Sequence, residues 1–175
     1  MLERELTFLI KEIPGDLNQS ISKEMIDLYI PGSAEHPKTR IRKQGDSYEF
    51  TKKTPVHEGD ASQLLERTVI LDEQDFECLQ VVDAKRVEKT RYYYARDGYQ
   101  YEIDVFGGDL QGLVLVDVEF DDVESQQAFV MPDWCLADVT QETFIAGGML
   151  AGKSYDDIGD RLSEFGYIKQ THHAS

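Results

Sequence analysis

Charged residues recur along the chain in pairs separated by one residue. Arg40 and Arg42 flank Ile41, Lys89 and Arg91 flank Thr90, Glu102 and Asp104 flank Ile103, and Asp117 and Glu119 flank Val118. Glu3, Glu5 and Thr7 alternate in "LERELTF", as do Glu49, Thr51 and Lys53 in "YEFTKK". In a strand, residues two apart share a face, so each pair projects its charges to one side. A single strand of this kind is an ordinary solvent-facing surface. Six need more explanation, because the intervening residues, such as Ile103, Val105, Val116 and Val118, are apolar enough to need cover of their own. Charged faces turned into a closed barrel, with helices over part of its outside, satisfy both demands. An interior carrying both signs must pair or bind its charges, since unpaired buried charge is very unfavourable. Arg and Lys grip phosphate, and Asp and Glu hold a divalent cation. Oxygen ligands alone favour Mg²⁺ or Mn²⁺ over zinc.

The charge distribution points the same way. A formal net charge of −16 argues against a general nucleic-acid binder, which needs a field of Lys and Arg. Yet eleven of the 18 Lys and Arg residues fall within 38–53 and 85–96, which predicts a concentrated positive site for a small anion. The longest apolar runs, "GLVLV" and "FIAGGMLAG", fall short of the roughly 18 residues of a membrane span, and no signal peptide is visible. Cys78 and Cys135 are far apart, with no companion at metal-ligand spacing, and read as reduced thiols. A cytoplasmic protein with no membrane partner is expected. The 175 residues, 41% hydrophobic, suit one domain with its own core.

The elements that must carry these faces are eight predicted strands, near 2–11, 24–30, 38–43, 47–53, 64–71, 84–95, 98–106 and 113–120. "QGD" at 44–46 and Asp97-Gly98 read as hairpin turns, so antiparallel pairing follows. Helices are predicted at 73–81, with Asp72 as N-cap, at 122–130, and at 155–165. The last has Ser154 and Asp157 in a capping box, with Tyr155, Ile158, Leu162 and Phe165 along one face. The fold class is α+β: an eight-stranded antiparallel barrel over 1–135 with inserted helices, and a helical segment over 136–175, all in one domain.

The segments "TRIRKQGDSYEFTKK", "VEKTRYYY", "YEIDVFGGDLQGLVLVDVEF" and "ADVT" resemble the CYTH superfamily. These are the triphosphate tunnel metalloenzymes, which include class IV adenylyl cyclases and thiamine triphosphatases, and the small bacterial members that hydrolyse inorganic triphosphate are the most similar. The resemblance implies an eight-stranded tunnel and metal-dependent triphosphate hydrolysis. It implies Glu3, Glu5, Asp104, Asp117 and Glu119 as metal ligands, Arg40, Arg42, Lys53, Lys89 and Arg91 as phosphate ligands, and Tyr29 as a catalytic group that orients the attacking water. It departs from the family in three places: Thr7 replaces a lysine, Thr68 replaces a glutamate after Glu66, and Gly147-Gly148 replace Asn-Lys. These departures leave a non-catalytic polyphosphate or nucleotide sensor as an alternative, beside cyclase or organic triphosphatase activity. The expected partner is a small-molecule triphosphate, with a homodimer left open.

"GGMLAGKS", Gly147 to Ser154, fits the pattern G-x-x-x-x-G-K-[ST] of a phosphate-binding loop. Such a loop needs a buried strand before it and a parallel α/β sheet around it, and neither is predicted, so the match is read as chance. His36 and His57 sit in loop-like sequence, and His172 and His173 read as a loose tail.

Overall fold

Residues 2–57 and 59–172 are described by a computed structural model. The eight predicted strands form as β1 (Leu2–Ile10), β2 (Ile21–Ile30), β3 (Thr39–Gln44), β4 (Ser47–Pro55), β5 (Gln63–Leu71), β6 (Lys85–Arg96), β7 (Tyr99–Phe106) and β8 (Val114–Glu119). They pair in the order β5-β4-β3-β2-β6-β7-β8-β1, and β5 returns to β1, closing an antiparallel barrel. Closure removes the free edges that an open sheet would expose. Two tight turns support it. Gly45 has φ 56°, and Asp97 and Gly98 have φ 52° and 83°, the left-handed pair of a two-residue hairpin.

A ninth strand, β9 (Cys135–Asp138), was not anticipated, and it runs into the segment expected to be helical. Four residues are too few to show an alternating pattern. β9 and β5 share one edge of β1: Leu2, Glu3 and Arg4 pair with β5, and Phe8, Leu9 and Ile10 with β9. Between them the Thr7 N–H donates to Thr140 Oγ1 at 3.0 Å, and the Thr7 carbonyl accepts from the Val139 N–H at 2.9 Å.

Helices α1 (Glu73–Leu79), α2 (Val123–Ala128), α3 (Gly147–Leu150) and α4 (Tyr155–Glu164) lie around the strands. Asp72 with Asp75, and Ser154 with Asp157, close capping boxes that satisfy the otherwise orphaned N–H groups of α1 and α4. Phe76 of α1 packs with Leu28, Ile41 and Tyr48. Ile158 and Leu162 of α4 join a larger cluster with Ile103, Val116 and Val118. The apolar residues between the charged pairs therefore join cores to which helices contribute, which leaves the opposite faces of those strands to the barrel interior.

The Gly147–Ser154 run is divided between α3 and the cap of α4, and a 3-10 turn, Thr143–Ile145, precedes it rather than a parallel strand. This is not the setting of a phosphate-binding loop. Cys78 and Cys135 are unpaired. Among the described residues no helix is long and apolar enough to cross a membrane. His172 is not loose: its Nε2 lies 3.0 Å from the Tyr92 hydroxyl, and its ring packs edge-on against Tyr92. His173 lies outside the described residues.

Candidate active site

Strand register sets the interior side chains in facing rows. Glu5 lies opposite Glu119 and Thr7 opposite Asp117 between β1 and β8. Asp27 lies opposite Arg42 and Tyr29 opposite Arg40 between β2 and β3. Lys53 faces Glu66 across β4 and β5, and Arg91 faces Asp104 across β6 and β7. Every predicted metal, phosphate and catalytic residue lines one cavity of about 560 Å³.

The bases are held by a subset of the acids. Arg42 donates through Nε and NH2 to the two oxygens of Asp27 at 2.6 and 2.7 Å. Asp104 accepts from Arg91 Nε at 2.7 Å and NH2 at 2.6 Å, and from Lys89 Nζ. Burial alone would raise both carboxyls, but Arg42 holds Asp27, and Arg91 with Lys89 holds Asp104, well below the usual carboxylate range. Arg91 also pairs with Glu102. Arg40 is less engaged: its NH2 is 3.8 Å from Glu49, and its buried Nε donates to no described group. A phosphate oxygen would satisfy that donor.

The remaining acids crowd each other on β1 and β8. Burial, opposed by Lys53, pushes Glu3 up to about 7. Burial and then the neighbouring Glu5 push Asp117 up to about 7. Glu119 is raised by partial burial and by Glu102 and Glu5. The compensation comes from Lys53, whose Nζ is 2.6 Å from Glu3, 3.9 Å from Glu5 and 3.7 Å from Glu66, and from Arg91, whose Nη2 is 3.3 Å from Asp117 Oδ2. A wall of hard oxygen donors under mutual repulsion suits a divalent cation such as Mg²⁺ or Mn²⁺. Among the described residues no three His, Cys, Asp or Glu side chains form a ready-made ion cage, so these donors fit the ion in chemistry rather than as a preformed shell. Asp104, expected with this group, has both oxygens engaged by the bases instead.

The departures acquire physical reasons. The Thr7 hydroxyl donates to Asp117 Oδ1 at 2.8 Å. Thr68 donates to Glu66 Oε1 at 2.7 Å and lies 3.2 Å from the Thr51 hydroxyl. A Cβ at Gly147 would overlap the Tyr29 hydroxyl, and one at Gly148 would overlap the Pro37 carbonyl, so this close approach requires glycine at both positions. Tyr29 is buried, and burial, with Asp27 second, raises its phenol, which stays protonated. His36 also lines the cavity, while Lys153 of the loop-like motif is not among its lining residues. Sequence reasoning missed the Asp27–Arg42 ion pair, although Asp27 alternates with Tyr29 in "DLYIP".

The fold and the site define the class: a closed antiparallel barrel whose inner wall opposes bases to carboxylates. No family model matches the chain. An inorganic triphosphatase of Nitrosomonas europaea is 36% identical over 145 residues, 81% of this chain and 91% of that protein. The chain belongs to the inorganic triphosphatase family. A crystal structure of an inorganic triphosphatase superposes with a TM-score of 0.62 at 32% identity, covering 85% of this chain and 93% of that one. A putative adenylate cyclase from Bacillus halodurans gives a TM-score of 0.51 at 13% identity over 98% and 93%, a likeness of fold alone.

Proposed function

We propose that this chain hydrolyses inorganic triphosphate to diphosphate and phosphate with Mg²⁺ or Mn²⁺, as a member of the CYTH superfamily. The observation that carries this reading is one cavity that sets bases on β3, β4 and β6 against carboxylates crowded together on β1 and β8. Arg40, Arg42, Lys53, Lys89 and Arg91 hold the phosphate chain by charge-assisted hydrogen bonds, which strengthen as negative charge moves to the leaving diphosphate. Asp104 keeps Lys89 and Arg91 in place. Glu3, Glu5, Asp117 and Glu119 would hold the cation. When bound, the divalent ion neutralises phosphate charge as a Lewis acid. Tyr29, neutral at physiological pH, orients the attacking water by hydrogen bonding and does not deprotonate it.

The test is a phosphate-release screen over triphosphate, diphosphate, ATP and thiamine triphosphate, with Mg²⁺, Mn²⁺ or chelator, paired with binding on the same panel. Metal-dependent release from inorganic triphosphate in preference to the others is expected. Tight binding without release from any compound would identify a sensor instead, and cyclic product from ATP would identify a cyclase.

A further inference from the structure

We infer that Asp27 is a positioning residue for the phosphate grip, acting through Arg42; this rests on the reading of Arg42 as a phosphate ligand. Asp27 is 1% exposed and Arg42 5%, and the pair is side-on and bidentate. Arg42 lines the cavity and Asp27 does not, so the guanidinium stands between the carboxylate and any anion in the barrel. Binding through Nε and NH2 fixes the guanidinium plane and leaves its NH1 side turned away from Asp27. An anion can therefore engage Arg42 without displacing Asp27.

Stability alone does not call for such a pair. A buried ion pair is often no more stable than apolar residues of similar volume, and apolar Leu28 and Ile41 occupy the neighbouring positions on these strands. The charge of Asp27 has a second effect, because Arg42 feels repulsion from Arg91, and Asp27 is attracted to Arg40 and Lys89 as well. One buried carboxylate thus lets several bases stand close together before any anion arrives. Tyr29, two residues along the same face, stands opposite Arg40, so β2 sets a polar side chain across from each arginine of β3.

The test is a double-mutant cycle on binding of tripolyphosphate by calorimetry in chelator, with native protein, Asp27→Asn, Arg42→Met and the double variant. Arg42→Met should weaken binding by about tenfold or more, and Asp27→Asn by a comparable factor. The double variant should bind no more weakly than Arg42→Met, since Asp27 acts only through the group already removed. Native affinity in Arg42→Met would overturn the reading of Arg42 as a ligand and the inference with it. A loss in Arg42→Met combined with native affinity in Asp27→Asn, or with additive losses in the double variant, would overturn the inference alone. Should Asp27→Asn not fold, Asp27→Glu keeps the charge but shifts the guanidinium by a methylene. Weakened binding by that folded variant supports positioning, and native affinity refutes it.

Discussion

Thr7 and Asp117 face each other across the β1–β8 ladder, and the hydroxyl of the first donates to Oδ1 of the second at 2.8 Å. The position to which the family resemblance assigns a lysine thus holds a neutral donor against a carboxyl whose burial already disfavours its charge.

Thr7→Lys should raise triphosphatase turnover. A charge-assisted hydrogen bond worth about 1.5–3 kcal/mol gives roughly ten- to a hundredfold in rate if it is felt only in the transition state. Triphosphate affinity should change less than rate. Steady-state phosphate release at saturating triphosphate and several Mg²⁺ concentrations checks this. A native protein that is already fast, and slowed by the added lysine, would show that Thr7 belongs to a differently arranged site.

Glu3 and Asp117 predict how stability varies with pH. Both hold a proton more tightly in the folded chain, up to about 7, than in the unfolded chain. Their stabilising contribution is complete below their unfolded values and is lost as pH rises through about 7. Asp27 and Asp104 have the opposite sign and lose their contribution only in strong acid. His36, lowered by burial and by Lys38, opposes the carboxyls, but it is a single, partly solvated group. The melting temperature of chelated protein should therefore fall between about pH 5 and about pH 8, and Mg²⁺ should restore more of it at the upper end. Glu3→Gln should flatten the profile. An equal Mg²⁺ effect at both pH values would refute the coupling.

Gly147→Ala should destabilise the protein by about 1–3 kcal/mol, the usual range for overpacking, because its methyl overlaps the Tyr29 hydroxyl. Tyr29→Phe should relieve only part of this loss, since the ring carbon Cζ would still lie 2.8 Å from the new methyl. Urea unfolding of the two single variants and the double measures the coupling. A neutral Gly147→Ala would mean that the Tyr29 ring moves freely, and would remove the packing reason for the glycine pair.

The inward rows were legible because a strand's pleat assigns faces from spacing alone. Arg40 with Arg42, and Asp117 with Glu119, needed no knowledge of partners. Partners depend on register, and register joins residues far apart in the chain. Thus Asp27, one acid among apolar residues, did not announce its bond to Arg42, and nothing in the sequence paired Asp104 with Lys89 and Arg91. β9 was too short for a periodic signal. Gly147 and Gly148 read as lost functional groups, because the close approach of Tyr29 and Pro37 exists only in three dimensions.

Among the described residues the hoop of the barrel is fastened by its shortest ladder, the three pairs that join Leu2, Glu3 and Arg4 to β5. Lys53 reaches over this seam from β4 to Glu3, acting as an electrostatic buckle on the inside. An anion that drew Lys53 away would loosen the buckle, and a cation seated on Glu3 would replace it. How firmly the molecule is shut would thereby be tied to what it contains, and local opening at this seam would answer to the charge of its cargo as well as to the apolar packing on its outside.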